Sequence, residues 1–147
     1  MLNKLITENY GIYVNELLLI DSHFGTEVFI AETEKGKFIV KTLPLYVKGV
    51  ENEGFITNFL INQGISVAKL LRTNNGQYHV KTDEIQFHVQ DYIEGKTLAV
   101  NTAPEWFIEK SAYVLGQIHN VLKNYENLDI SFGKEFFTKS NVMKTKE

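Results

Sequence analysis

Gly36-Lys37-Phe38-Ile39-Val40-Lys41-Thr42-Leu43-Pro44 is the stretch that decides the fold of this chain. Alternation along an extended strand puts Ile39, Lys41 and Leu43 on one face and Phe38, Val40 and Thr42 on the other. Lys41 thus shares its face with two large aliphatic side chains, where a cation is costly unless an anion or hydrogen-bond acceptor meets it. A partner is expected close by, and the next segment offers two. Val50 to Gln63 carries Phe55, Ile56, Phe59 and Leu60 at spacings of three and four, and Gly64 stands where helices commonly end. In such a helix Glu53, Ile56, Thr57 and Leu60 form one stripe, which makes Glu53 the expected partner of Lys41. Glu51 is its rival, and either acid equally suits a solvated first turn facing the helix dipole.

Upstream, Leu2, Leu5 and Ile6 predict a short amphipathic helix that caps one edge of the domain. Leu17 to Ile20, Val28 to Thr33 and Lys37 to Leu43 then read as strands, separated by turns at Ser22 to Thr26 and at Glu34-Lys35-Gly36. An antiparallel three-stranded meander follows. Beyond the helix, Val67 to Arg72 and Tyr78 to Val80 flank Asn74-Asn75-Gly76, whose Asn-Gly step predicts a hairpin joining two strands. Ile85, Phe87 and Val89 alternate with Gln86, His88 and Gln90, so this strand is expected to have one apolar and one polar face. Thr102-Ala103-Pro104-Glu105 has capping-box spacing and opens a long helix bearing Trp106, Ala112, Leu115, Ile118 and Leu122. The tail from Lys134, with Phe136 and Phe137, shows no clear terminator, and there is no internal repeat.

Composition narrows the function classes. At 147 residues and 44% hydrophobic content the chain can build one ordinary core. A formal net charge of −3 and a single arginine, Arg72, leave no basic stripe, so nucleic acid is not an expected partner. Cysteine is absent, which removes disulfides, thiolate nucleophiles and thiolate metal sites. No apolar run approaches the roughly 20 residues of a membrane helix, and no leader pattern opens the chain. A cytoplasmic protein without membrane contact is the expectation. His23, His79 and His88 fall on turns or polar strand faces, and His119 lies on the long helix without a partner. None has metal-ligand spacing.

The order of three strands, helix, two or three strands, glycine-bearing linker and helix resembles the N-terminal lobe of the protein-kinase-like fold. The segments GKFIVKTLP, ENEGFITNFLINQGISVAKLL, VQDYIEGKTL and VLGQIH are similar to the aminoglycoside phosphotransferase and choline kinase family of small-molecule kinases, over roughly residues 10–125. The resemblance implies an α+β fold, with a five-stranded antiparallel sheet and one packed helix over residues 1–93. Residues 94–147 would form the hinge and the beginning of a helical C-terminal lobe. It implies ATP as cofactor, with magnesium held only through the rest of that second lobe. Lys41 would meet the α- and β-phosphates and Glu53 would orient it. Ser22 to Glu27, with Gly25 and Thr26, would be the nucleotide loop, although one glycine suits an ordinary hairpin as well. Gln90 to Gly95 would be the hinge, offering backbone groups of Gln90 and Tyr92 to the adenine edge. Ile39, Ala31 and Ile20 would cover the base.

Phosphoryl transfer also needs metal-holding carboxylates and an aspartate near the attacking hydroxyl. The family carries these in a His-x-Asp loop and a later Asp, downstream of the helix matched by Val114 to His119. The sole Asp past that helix is Asp129, in Leu128-Asp129-Ile130-Ser131-Phe132-Gly133, and neither its flanks nor its distance fits. The expected function is therefore the ATP-gripping part of a small-molecule phosphotransferase, inactive alone, with its acceptor set elsewhere. Two other readings stay open: a non-catalytic kinase-like binding or structural module, by analogy with kinase-like spore-coat proteins, and an unrelated α+β domain. A lobe separated from its partner would expose the apolar face of the Trp106 helix, which is expected to favour self-association.

Overall fold

The computed structural model describes residues 1–96, 98 and 102–125. The elements are α1 (Leu2–Tyr10), β1 (Val14–His23), β2 (Thr26–Thr33), β3 (Gly36–Leu43), α2 (Val50–Asn62), β4 (Val80–Lys81), β5 (Gln86–Asp91) and α3 (Glu105–Leu122). The strands make one antiparallel sheet in the order β1-β2-β3-β5-β4. The fold class is thus α+β with a five-stranded sheet, as expected. Asp129 and the tail from Lys134 lie outside the described residues. No described helix is long and apolar enough to cross a membrane.

Register assigns each strand residue to a face. Ala31 sits opposite Phe38, Val40 opposite Val89, and Thr42 opposite Phe87, so these residues share one side. On it Ala31, Val40, Phe87 and Val89 are buried together with Ile6 and Ile12, while Leu2, Leu5, Leu17 and Phe29 pack around them. Ile6 is the buried residue of α1. The opening helix therefore covers a sheet face and supplies core, where the sequence suggested an edge cap. The other side carries the row Leu18, Ile30, Ile39, Gln90 and the row Asp21, Val28, Lys41, His88.

α2 ends as its glycine predicts. Gly64 has φ +80°. Its N–H donates to the Ile61 carbonyl at 2.9 Å, and that of Ile65 to the Leu60 carbonyl at 3.0 Å, the reciprocal pair of a Schellman ending. α3 departs from expectation at its start. It begins at Glu105 with Pro104 as N-cap, extended at ψ 153°, and no side chain caps it. The proline's fixed ring geometry favours an extended preceding residue, which pushes the helix start past Thr102.

The predicted hairpin of Val67 to Arg72 with Tyr78 to Val80 is corrected. The turn exists, with the Gly76 N–H donating to the Thr73 carbonyl at 2.8 Å, but its flanks do not pair as strands. Both run along the free edge of β5: Val80 sits opposite Phe87, while the Leu71 N–H reaches the Val89 carbonyl at 2.8 Å and the Asp91 N–H reaches the Lys69 carbonyl at 2.9 Å. They share that edge end to end. The Arg72 guanidinium lies 4.2 Å from the centroid of the Tyr78 ring and donates to its hydroxyl at 2.8 Å, holding the two flanks together through side chains.

Candidate functional site

The sheet face turned away from α1 is only partly covered. Leu18 is 40% exposed and Ile20 54%, while Ile30, Ile39 and Lys41 are half-buried. Here Lys41 stands directly opposite His88 on the neighbouring strand, with Cα atoms about 5 Å apart as antiparallel pairing dictates. Among the described residues Lys41 forms no ion pair, the recorded ones being Lys4–Glu8, His23–Asp21, Lys37–Glu32 and His79–Glu51. A half-buried cation beside Ile39 is thereby left to solvent or to a ligand.

The expected Lys41–Glu53 pair is not formed. Glu53 is exposed, and the α2 acid that turns inward is Glu51. Its carboxylate accepts from the Tyr78 N–H at 2.8 Å and lies 3.0 Å from His79 Nδ1. The cause is the tight seating of α2 on Tyr78. A Cβ at Gly54 would fall 2.0 Å from Tyr78 Cγ, and the Phe55 ring meets the Tyr78 ring edge-on at 5.3 Å. That packing turns the Glu51 side of the first helical turn toward β4. An open cavity of about 240 Å³ lies there, bounded by Lys48, Gly49, Glu51, His79, Lys81 and Gln86.

Of the loop residues, Gly25 is the second residue of the two-residue turn Phe24-Gly25 between β1 and β2, and Thr26 opens β2 opposite His23. Phe24 and Gly25 have φ of 53° and 76°, the signs a type I′ turn requires at both central positions. The turn leans on the end of β3, where Pro44 Cγ would lie 3.2 Å from a Cβ at Gly25. In the hinge, Gln90 is part of β5. Since Val89 and Asp91 bond outward to residues 69–71, strand alternation turns the Gln90 backbone groups toward Ile39 on β3. Free hinge backbone therefore begins at Tyr92, which is half-buried. Of the three residues expected to cover a base, Ile39 lies on the open face and Ile20 occupies a bulge of β1. Ala31 is corrected: at 1% exposure it belongs to the core on the opposite side.

The residue that sequence reasoning set aside is His88. On an alternating strand it reads as part of a polar, wetted face, yet it is 0% exposed, and so is its neighbour Gln86 at 1%. The Gln86 amide donates to the Val47 carbonyl at 3.2 Å. Both ring nitrogens of His88 lack a hydrogen-bond partner. Burial, and then the charges of Lys41 and His79, push its pKa down to about 4, so the imidazole is neutral. The β5 pattern gave one clue: burial on both faces is what a central strand between β3 and β4 experiences.

No protein-family model and no curated protein sequence matches the chain. Among solved structures it is similar to spectinomycin phosphotransferase in complex with ADP and spectinomycin, with a TM-score of 0.57 at 15% identity. The match covers 98% of this chain and 54% of that one, so the chain spans about half the length of its structural neighbour. The shared feature is the fold: the five-stranded antiparallel sheet with its helices matches the kinase-like N-terminal lobe.

Proposed function

We propose that this chain is the ATP-holding N-terminal part of a small-molecule phosphotransferase, inactive by itself, with residues 1–93 as the lobe and residues 94–147 opening a second lobe. The observation that carries this reading is Lys41: a half-buried cation with no ion pair among the described residues, beside Ile39 on the half-open face of a sheet that matches a kinase-like lobe. Leu18, Ile30 and Ile39 offer apolar cover to a base, Lys41 offers a point charge to phosphates, and Tyr92 offers the first free backbone groups of the hinge. Gly25 and Thr26 lie at the near end of the same face, and Gln90 acts through its side chain. Glu53 has no part in the resting geometry. The acceptor is a small molecule whose class is set outside this lobe, and magnesium would be held through the second lobe.

The test is calorimetric titration of the 147-residue chain with ADP, and with ATP plus magnesium, beside Lys41→Ala. Binding that weakens at least about tenfold in the variant, the loss of about 1.4 kcal/mol expected for one charge-assisted contact, supports the reading. Unchanged affinity in Lys41→Ala would remove its basis. The outward turn of Glu53, with Glu51 taken up by Tyr78 and His79, favours a second reading, a kinase-like module without nucleotide function. Failure of millimolar ADP to bind or to raise the melting temperature would select it.

A further inference from the structure

His88 is the most anomalous group of the described fold. It bonds to nothing through either nitrogen while being 0% exposed, and a buried polar group without partners lowers stability. A leucine there would avoid that cost. The anomaly sits directly across the strand pair from Lys41, the cation on which the nucleotide reading rests.

We propose that His88 is a latent second cation of the Lys41 site: when a polyphosphate neutralises Lys41, the His88 imidazole takes up a proton, so that anion binding and protonation are coupled. This inference rests on the nucleotide reading above and deepens it. The proton comes from the buffer and adds to a ring nitrogen, and no bond of the ligand breaks. The charged and titratable groups facing His88 are Lys41 from β3, His79 from the lead into β4, and Glu51 of α2 held on His79. Its neighbours on the same face of β5, Gln86 and Gln90, are neutral. In the free protein burial first, and then Lys41 and His79, oppose imidazolium formation and hold the pKa down at about 4; of these an anion relieves the Lys41 contribution. An anion at Lys41 replaces that opposition with attraction and raises proton affinity. The ring is buried behind Lys41, so His88 is a positioning residue that acts on the ligand through the field it adds.

The sign follows from linkage. A group that binds protons more tightly in the complex makes binding tighter as pH falls from the bound-state pKa toward the free-state one. ADP is titrated against the full chain at about pH 6 in two buffers of different ionisation enthalpy, and its Kd is followed from about pH 7 to about pH 5. The expected result is net proton uptake with an affinity gain of about threefold over that range, given that each unit of pKa rise is worth at most a factor of ten. His88→Leu should lose the uptake, as should His88→Gln, which keeps polarity but cannot be protonated; the second variant secures the result if the first folds poorly. Titration of ADP's own phosphate is common to all three proteins and cancels. Uptake persisting in both variants would overturn the assignment to His88. Proton uptake in the wild type no greater than in the two variants would overturn this inference alone, whereas no ADP binding at any pH would sink the nucleotide reading with it.

Discussion

At the scale of single residues, the pairing of Lys41 with His88 across β3 and β5 has a consequence independent of any ligand. In the unfolded chain His88 is an ordinary imidazole, whereas in the fold burial, Lys41 and His79 depress its pKa to about 4. As pH falls, the unfolded chain takes up the proton first. Stability is therefore full above about pH 6.5 and declines from there toward about pH 4, by roughly 2–3 kcal/mol from this one group. His88→Leu should flatten that acid slope and raise the melting temperature at neutral pH. Denaturant midpoints measured across the range check it, and an unaltered slope in the variant would refute the assignment. His88 also marks where sequence reading stops. Alternation correctly separates Phe87 and Val89 from Gln86 and His88, but it cannot tell a polar face in water from one beneath a helix and loop. Lys41 was legible from its own strand, because its neighbours Ile39 and Leu43 are local. That Glu53 would turn outward was not legible, because helix phase within a first turn depends on what the helix packs on, and Tyr78 lies far along the chain.

At the scale of elements, two contacts set the geometry. α2 approaches Tyr78 so closely that Gly54 has no room for a methyl group. Gly54→Ala should cost about 2–3 kcal/mol, since Tyr78 is buried and hemmed by Phe55 and Arg72. A chemical-denaturation midpoint close to that of the wild type would show that α2 can slide away. The β1–β2 turn presents the opposite case. Phe24 holds φ 53° at 95% exposure and so bears left-handed strain with little packing in return. Phe24→Asn, better suited to a type I′ turn, should stabilise by about 1 kcal/mol in the same assay. If it destabilises instead, the aromatic makes contacts that its exposure hides. The strand meander and α2 were readable because turn glycines and helical spacing are short-range signals. The sharing of the β5 edge was not, because nothing in residues 67–72 says that their partner is β5 and not the other arm of the turn.

For the whole molecule, α3 is the outlying part. It has no buried residue, and Trp106, Phe107, Val114, Leu115 and Ile118 line one continuous side. Just past its end the Tyr125 ring meets the Phe59 ring of α2 at 4.9 Å. Exposed apolar stripes of this size favour association. Size-exclusion chromatography should show the chain moving to a larger species as concentration rises, and Trp106→Glu with Leu115→Glu should return it to a monomer. A concentration-independent monomer in the unaltered chain would contradict this.

The strand order carries one last implication, for time. β1, β2 and β3 are joined by short turns and can pair as soon as they are made. β5 reaches β3 only after everything from Pro44 to Ile85, α2 included, has been gathered in. Closing so long a stretch is entropically slow beside hairpin formation. The seam between β3 and β5 is thus the slowest closure within the sheet, and it is the seam on which Lys41 meets His88. The meander can pair first and Lys41 is brought opposite the neutral His88 later, so the contact proposed to sense an anion depends on the longest closure within the sheet.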